Sequence, residues 1–196
     1  MSGAAPRTLA VIESGRLRVC FDLAAGRIRH SIWAVDGGPA ELLLTSVDGL
    51  TGADEFSTPV LTELQMPPSG EAQSTVLAVG AAARGHWSLS AVADAVSGRI
   101  EFDVACRVQA PRGPLGVAYL SNVPLSLNSQ TQGISLAHRS AGRFQLDIVA
   151  GDSSAPNGGW QILPDGRIER ALSPPSTSAC TLRWHYVVTS SAEDTG

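Results

Sequence analysis

The chain's 196 residues, 43% hydrophobic and 16% charged, are enough for one domain with a substantial core. They are too few for two ordinary domains with a linker, and far from the composition of a disordered segment. A net charge of -4 at pH 7 leaves no electrostatic footprint for nucleic acid or an anionic membrane surface, and all 14 basic residues are arginine, which excludes a lysine Schiff base and a Walker-type phosphate lysine.

Taken in chain order, the residues read as a succession of short strands in a single β domain spanning 1–196, with 1–7 and 190–196 as flexible tails. The start carries no basic segment followed by an apolar run, and no stretch approaches the roughly 18 apolar residues of a membrane span. A cytoplasmic chain is expected. Leu17, Val19 and Phe21 alternate with polar neighbours, the period of a strand with one buried face. The same period continues through Ile28 to Val35, Glu41 to Val47, Val60 to Met66 and Ser74 to Val79. Within this region "GRIRHSIWAVDGGPAELLL" at Gly26–Leu44 is a glycine-led strand, a turn and a Glu-Leu-Leu strand. It resembles the opening strands of the galactose-mutarotase-like supersandwich over about a tenth of the chain; no site residue is carried over from that resemblance.

Around Ser97-Gly98 the alternation predicts a hairpin. With those two residues as the loop, Ala95 pairs with Ile100, Ala93 with Phe102, Ala91 with Val104, Leu89 with Cys106 and Trp87 with Val108, so one face is wholly apolar. The other face then holds His86, Ser88, Ser90, Val92 and Asp94 against Glu101, Asp103, Ala105, Arg107 and Gln109. Further strands follow at Leu115 to Leu120, Phe144 to Ile148, Trp160 to Leu163 and Cys180 to Val188, while 20 Gly and 12 Pro punctuate the chain. No segment of a dozen residues carries helical apolar spacing. The fold class is therefore all-β, an antiparallel sandwich or a closed barrel of about a dozen short strands.

Five tetrapeptides share the pattern small-Gly-Arg-apolar: "SGRL" at 14–17, "AGRI" at 25–28, "SGRI" at 97–100, "AGRF" at 141–144 and "DGRI" at 165–168. Glycine supplies positive φ in a tight turn and the arginine stays in water as the next strand begins. Their irregular spacing argues against a propeller or solenoid.

Candidate chemistry sits on the polar strand faces. His185 shares with Arg183 one face of "TLRWHYVV", whose other face is Leu182, Trp184, Tyr186 and Val188. If the sheet closes into a barrel, that polar face lines a lumen where His185 meets Glu101, Asp103 and Arg107. In that arrangement His185 is a general base, Glu101 or Asp103 an acid or orienting partner, and Arg107 or Arg183 an anion clamp, with His86 on the same face. If it does not close, the face is solvated. Trp160, behind two glycines in "GDSSAPNGGWQ", is either a stacking platform for a sugar or a core residue. The polar stretch Ser121–Gly133 reads as a loop.

Cys20, Cys106 and Cys180 are widely spaced without CxxC partners and read as small buried thiols. The histidines are isolated, no HExxH, GxSxG or GxGxxG occurs, and no cofactor or metal is expected. The expected partner is a small organic ligand or carbohydrate, with a homo-oligomer left open. Function then lies between a small-molecule binder, extending to a cofactor-free isomerase, cyclase or lyase, and a structural or assembly protein without an active site. A carbohydrate-binding module stacking sugars on Trp33, Trp87, Trp160 or Trp184 is the third class. A ligand cavity of roughly 300 Å³ or more separates the first from the second.

Overall fold

A computed structural model describes residues 5–35, 38–49, 57–68, 73–82, 85–109, 113–128, 133–137, 143–148, 159–173 and 178–191. These form fifteen strands: β1 (Arg7–Ser14), β2 (Leu17–Ala24), β3 (Arg27–Ala34), β4 (Glu41–Ser46), β5 (Glu63–Gln65), β6 (Gln73–Ala82), β7 (Gly85–Asp94), β8 (Arg99–Val108), β9 (Leu115–Ser121), β10 (Leu125–Asn128), β11 (Gly133–Ala137), β12 (Arg143–Ile148), β13 (Gln161–Ile162), β14 (Arg167–Leu172) and β15 (Cys180–Ser191). One sheet runs β1-β2-β3-β4-β9-β14-β13 and the other β10-β11-β12-β15-β8-β7-β6-β5, with antiparallel pairing in both. Among the described residues no helix is long and apolar enough to cross a membrane.

The two sheets face each other across one core, so the architecture is a sandwich. The closed barrel is corrected: among the described residues no ladder joins the edge strands of one sheet to those of the other. Alternation explains why two layers suffice. Leu17, Val19 and Phe21 from β2, Ile28 and Ile32 from β3, and Leu115, Val117 and Tyr119 from β9 point inward from the first sheet, all buried. Leu89, Ala91 and Ala93 from β7, Phe102 and Val104 from β8, and Trp184 and Tyr186 from β15 meet them from the second. Each sheet buries one face and leaves the other to water, as in aligned sandwiches.

The β7–β8 hairpin has the faces expected from sequence but a different register. Ala93 pairs with Ile100, Ala91 with Phe102, Leu89 with Val104 and Trp87 with Cys106. The turn takes four residues, Ala95–Gly98, instead of two. A two-residue slide leaves every side chain on its own face, so hydrophobic alternation alone does not distinguish the registers. Ala95, expected inside, is exposed.

Four of the five repeated tetrapeptides lie on described residues, and each glycine has positive φ: Gly15 at 54°, Gly26 at 75°, Gly98 at 65° and Gly166 at 81°. Ala25 joins Gly26 at φ 51°, giving the two positive dihedrals that a type I′ hairpin turn requires between β2 and β3. Gly142 lies outside the described residues. β1 lies outside the expected strands, and within the stretch expected as loop Leu125–Asn128 pairs with Gly133–Leu136. Arg7 and Ser190–Ser191, placed in the tails, are strand residues.

Phe102 is fully buried, stacked on Tyr186 at 5.1 Å and 9° and on His30 at 5.4 Å. Phe102→Ala is expected to lower unfolding free energy by about 3–5 kcal/mol in a denaturant titration. The glycine turns give a graded comparison. A Cβ at Gly98 meets Ser190 Oγ at 2.7 Å, whereas one at Gly26 meets nothing within 4 Å. Gly98→Val is therefore expected to lower the melting temperature more than Gly26→Val, which carries backbone strain alone, of order 1–3 kcal/mol.

Candidate functional site

The registers of the second sheet assemble its outer face rung by rung. His86 on β7 stands opposite Arg107 on β8, which stands opposite Thr181 on β15. The next rung is Glu63, Val79, Ser88, Ala105 and Arg183 across β5, β6, β7, β8 and β15. Its middle members are short, so between taller neighbours they leave an open groove of about 510 Å³. Glu63, His86, Arg107 and Thr181 line it above a floor that includes Ser88 and Ala105.

The expected cluster comes together, but on this outer face and not in a lumen. Arg183 Nη2 donates to Asp103 Oδ2 at 2.7 Å, and His185 Nε2 lies 2.5 Å from Glu101 Oε1. Arg99 Nη2 reaches the other oxygen of Glu101 at 3.0 Å. These are partly exposed pairs along the ladder, of the kind that contributes about 0–1 kcal/mol each. His86 and Arg107, by contrast, have no hydrogen-bond or ion-pair partner among the described residues, nor does Glu63. The groove's lining includes neither His185 nor its carboxylates.

Trp160 is 4% exposed and packs edge-on against Tyr186 at 5.5 Å. It presents no stacking face to solvent, and Trp87 and Trp184 are buried against each other at 5.6 Å. Trp33 alone among the four is half-buried, its indole N–H donating to Ser31 Oγ at 2.8 Å. The thiol of Cys106 is pushed up to about 12 by burial, with Cys180 adding to the shift, which leaves it without thiolate character.

A second polar constellation lies in the core. His30 on β3 shares a hydrogen bond with Tyr119 on β9 through Nε2 at 2.8 Å, and the Tyr119 hydroxyl shares another with that of Tyr186 on β15 at 2.6 Å. The chain thus crosses from one sheet to the other. Burial pushes His30 down to about 3 and both phenols well above their ordinary value. Beside it a cavity of about 20 Å³ reaches Ser46 and Asp48, room for one water and no more. The partnership was hidden by sequence separation, 89 and 67 residues. One signal was available: His30 shares the inward parity of Ile28 and Ile32.

No family model matches the chain, and no curated protein matches it in sequence. Among solved structures, the heparan sulfate lyase HepC of Pedobacter heparinus, crystallised as a mutant, superposes with a TM-score of 0.58 at 10% identity. The match covers all of this chain and 36% of that one, so the chain spans about a third of the lyase's length. At this identity the likeness is one of fold.

Because His30 is neutral in the folded protein and ordinary when unfolded, the unfolded state binds more protons between pH 6.5 and about 3. Stability is therefore expected to fall as pH is lowered through that window, by an amount of order a few kcal/mol. Denaturant titrations at several pH values check this: His30→Gln should flatten the pH dependence while lowering stability at pH 7. An unchanged slope would mean that His30 becomes protonated in the folded state.

Proposed function

We propose that this domain is a cytoplasmic binder of a carbohydrate or similar small polar organic molecule, held in the outer groove of the second sheet. The observation that carries this reading is the groove itself: about 510 Å³, within the size range of ligand pockets, with the side chains of His86, Arg107 and Glu63 at its walls and unpartnered among the described residues. Rigid neighbouring strands hold these groups in place, so little ordering cost accompanies binding. The sugar class draws support from the occurrence of the fold in a heparan sulfate lyase. Binding is proposed and not conversion, because His185 with Glu101 and Asp103 stands apart from the groove. Asp103 lies four residues along β8 from Arg107, about 13 Å at the strand rise.

A second reading, an interaction domain, rests on Met66, Leu77 and Val79, which are 49%, 41% and 47% exposed at the β5–β6 edge. Amide chemical-shift titrations with a panel of neutral and acidic oligosaccharides distinguish the two. Binding in the groove should perturb residues around His86, Ser88 and Arg107, and Ser88→Trp, which fills the floor from an exposed position, should abolish the perturbation without unfolding the protein. Binding that survives Ser88→Trp overturns the groove reading. Absence of any sugar binding, with self-association relieved by Leu77→Glu, puts the interaction reading in its place.

A further inference from the structure

We infer that the groove selects an anionic sugar, through the paired oxygens of a carboxylate or sulfate held by Arg107 with His86 beside it; this rests on the groove being the binding site. The outer face of the second sheet contains two kinds of cation. Arg183 is bound to Asp103 at 2.7 Å and Arg99 to Glu101 at 3.0 Å, so their charge is already matched by a carboxylate. Arg107 differs in having no anionic partner among the described residues, although it lies in the same ladder.

Geometry explains the difference. The carboxylate of the groove, on Glu63, belongs to β5, three strands from β8, a separation of about 14 Å at the usual interstrand spacing. Asp103 lies about 13 Å along β8 and is engaged by Arg183. Both distances exceed a Debye length of about 8 Å at physiological salt, so neither charge neutralises the guanidinium to any useful extent. Between Arg107 and those carboxylates the rung holds Val79, Ser88 and Ala105, side chains too short to reach it.

The recognition chemistry follows from what stands around Arg107. A guanidinium offers a planar fork of donors that matches two oxygens of one carboxylate or sulfate. His86 is its direct partner on β7, with Cβ atoms about 5 Å apart, close enough for both side chains to donate to the same anion. Thr181 on the far side of Arg107 adds a hydroxyl. Glu63, at the opposite end of the groove, accepts from sugar hydroxyls and repels a second anionic group there, so the ligand is oriented with its anionic end at β7–β8.

The test compares ligands that differ only in charge. Calorimetric titrations use uronate oligosaccharides of gluco, galacto and manno configuration beside their methyl esters, and sulfated galactan oligosaccharides beside their desulfated forms. The charged member of at least one pair is expected to bind about tenfold more tightly. Arg107→Ala should remove that preference, weakening the charged member about tenfold more than the neutral one, and Arg107→Lys should keep it only in part. The pair that shows the preference identifies carboxylate or sulfate as the recognised group. Equal affinity within every pair, or an Arg107→Ala variant that keeps the preference, overturns the inference and leaves the groove as a neutral-sugar site. Failure of every member to bind overturns the binding reading itself. Retention of the wild-type amide spectrum by the Arg107 variants, expected for an exposed strand residue, excludes misfolding as the cause.

Discussion

The sandwich depends on one junction, where His30 links the sheets. Its imidazole lies between Phe21 at 5.5 Å and Phe102 at 5.4 Å, one ring from each sheet, and its Nε2 begins the hydrogen-bonded chain that ends at Tyr186. Apolar contact brings the layers together without direction, whereas these hydrogen bonds specify which strand lies over which. A buried histidine or phenol without a partner carries the full desolvation penalty, about 1–3 kcal/mol per group. Sliding one sheet over the other would break the Tyr119–Tyr186 bond between them and leave the buried Tyr186 hydroxyl without it, so the junction opposes alternative packings more than it adds stability.

That arrangement of layers decides where chemistry is possible. With the inner faces occupied by side chains, the interior beside the junction has room for one water-sized guest. Ligand-sized space is found on the outer face, where the relief comes from side-chain length alone: Ser88 and Ala105 are low, and His86 and Arg107 stand beside them. The same face pairs Arg183 with Asp103 and His185 with Glu101. A ladder of matched charges keeps the sheet solvated, and among the described residues the unmatched His86, Arg107 and Glu63 line the groove.

Much of the fold was legible in the residues. Period-two alternation identified both faces of β7 and β8, the recurring small-Gly-Arg tetrapeptide marked turns whose described glycines all have positive φ, and the grouping of His86, Arg107, Arg183, His185, Glu101 and Asp103 on one face followed from parity. What escaped it has a common cause. A four-residue turn and a two-residue turn leave the same residues inward, so alternation could not distinguish the two registers. The exchange of partners matters for the site, because it sets His86, and not Ser88, against Arg107.

The sequence by itself determined the class of structure and which side chains share a face, since strand parity depends only on neighbours one and two residues away. Closure, register and partnership were decided by the tertiary structure. Whether a polar face lines a lumen or meets water depends on whether edge strands meet, and that is a property of the whole sheet. Whether Trp160 is a platform or a core residue depends on Tyr119 and Tyr186, which pack against it from β9 and β15. His30 appeared isolated because its partners are distant along the chain. Tyr119 comes beside it only when β3 and β9 join one sheet through β4, and Tyr186 completes the chain only when the second sheet stacks on the first.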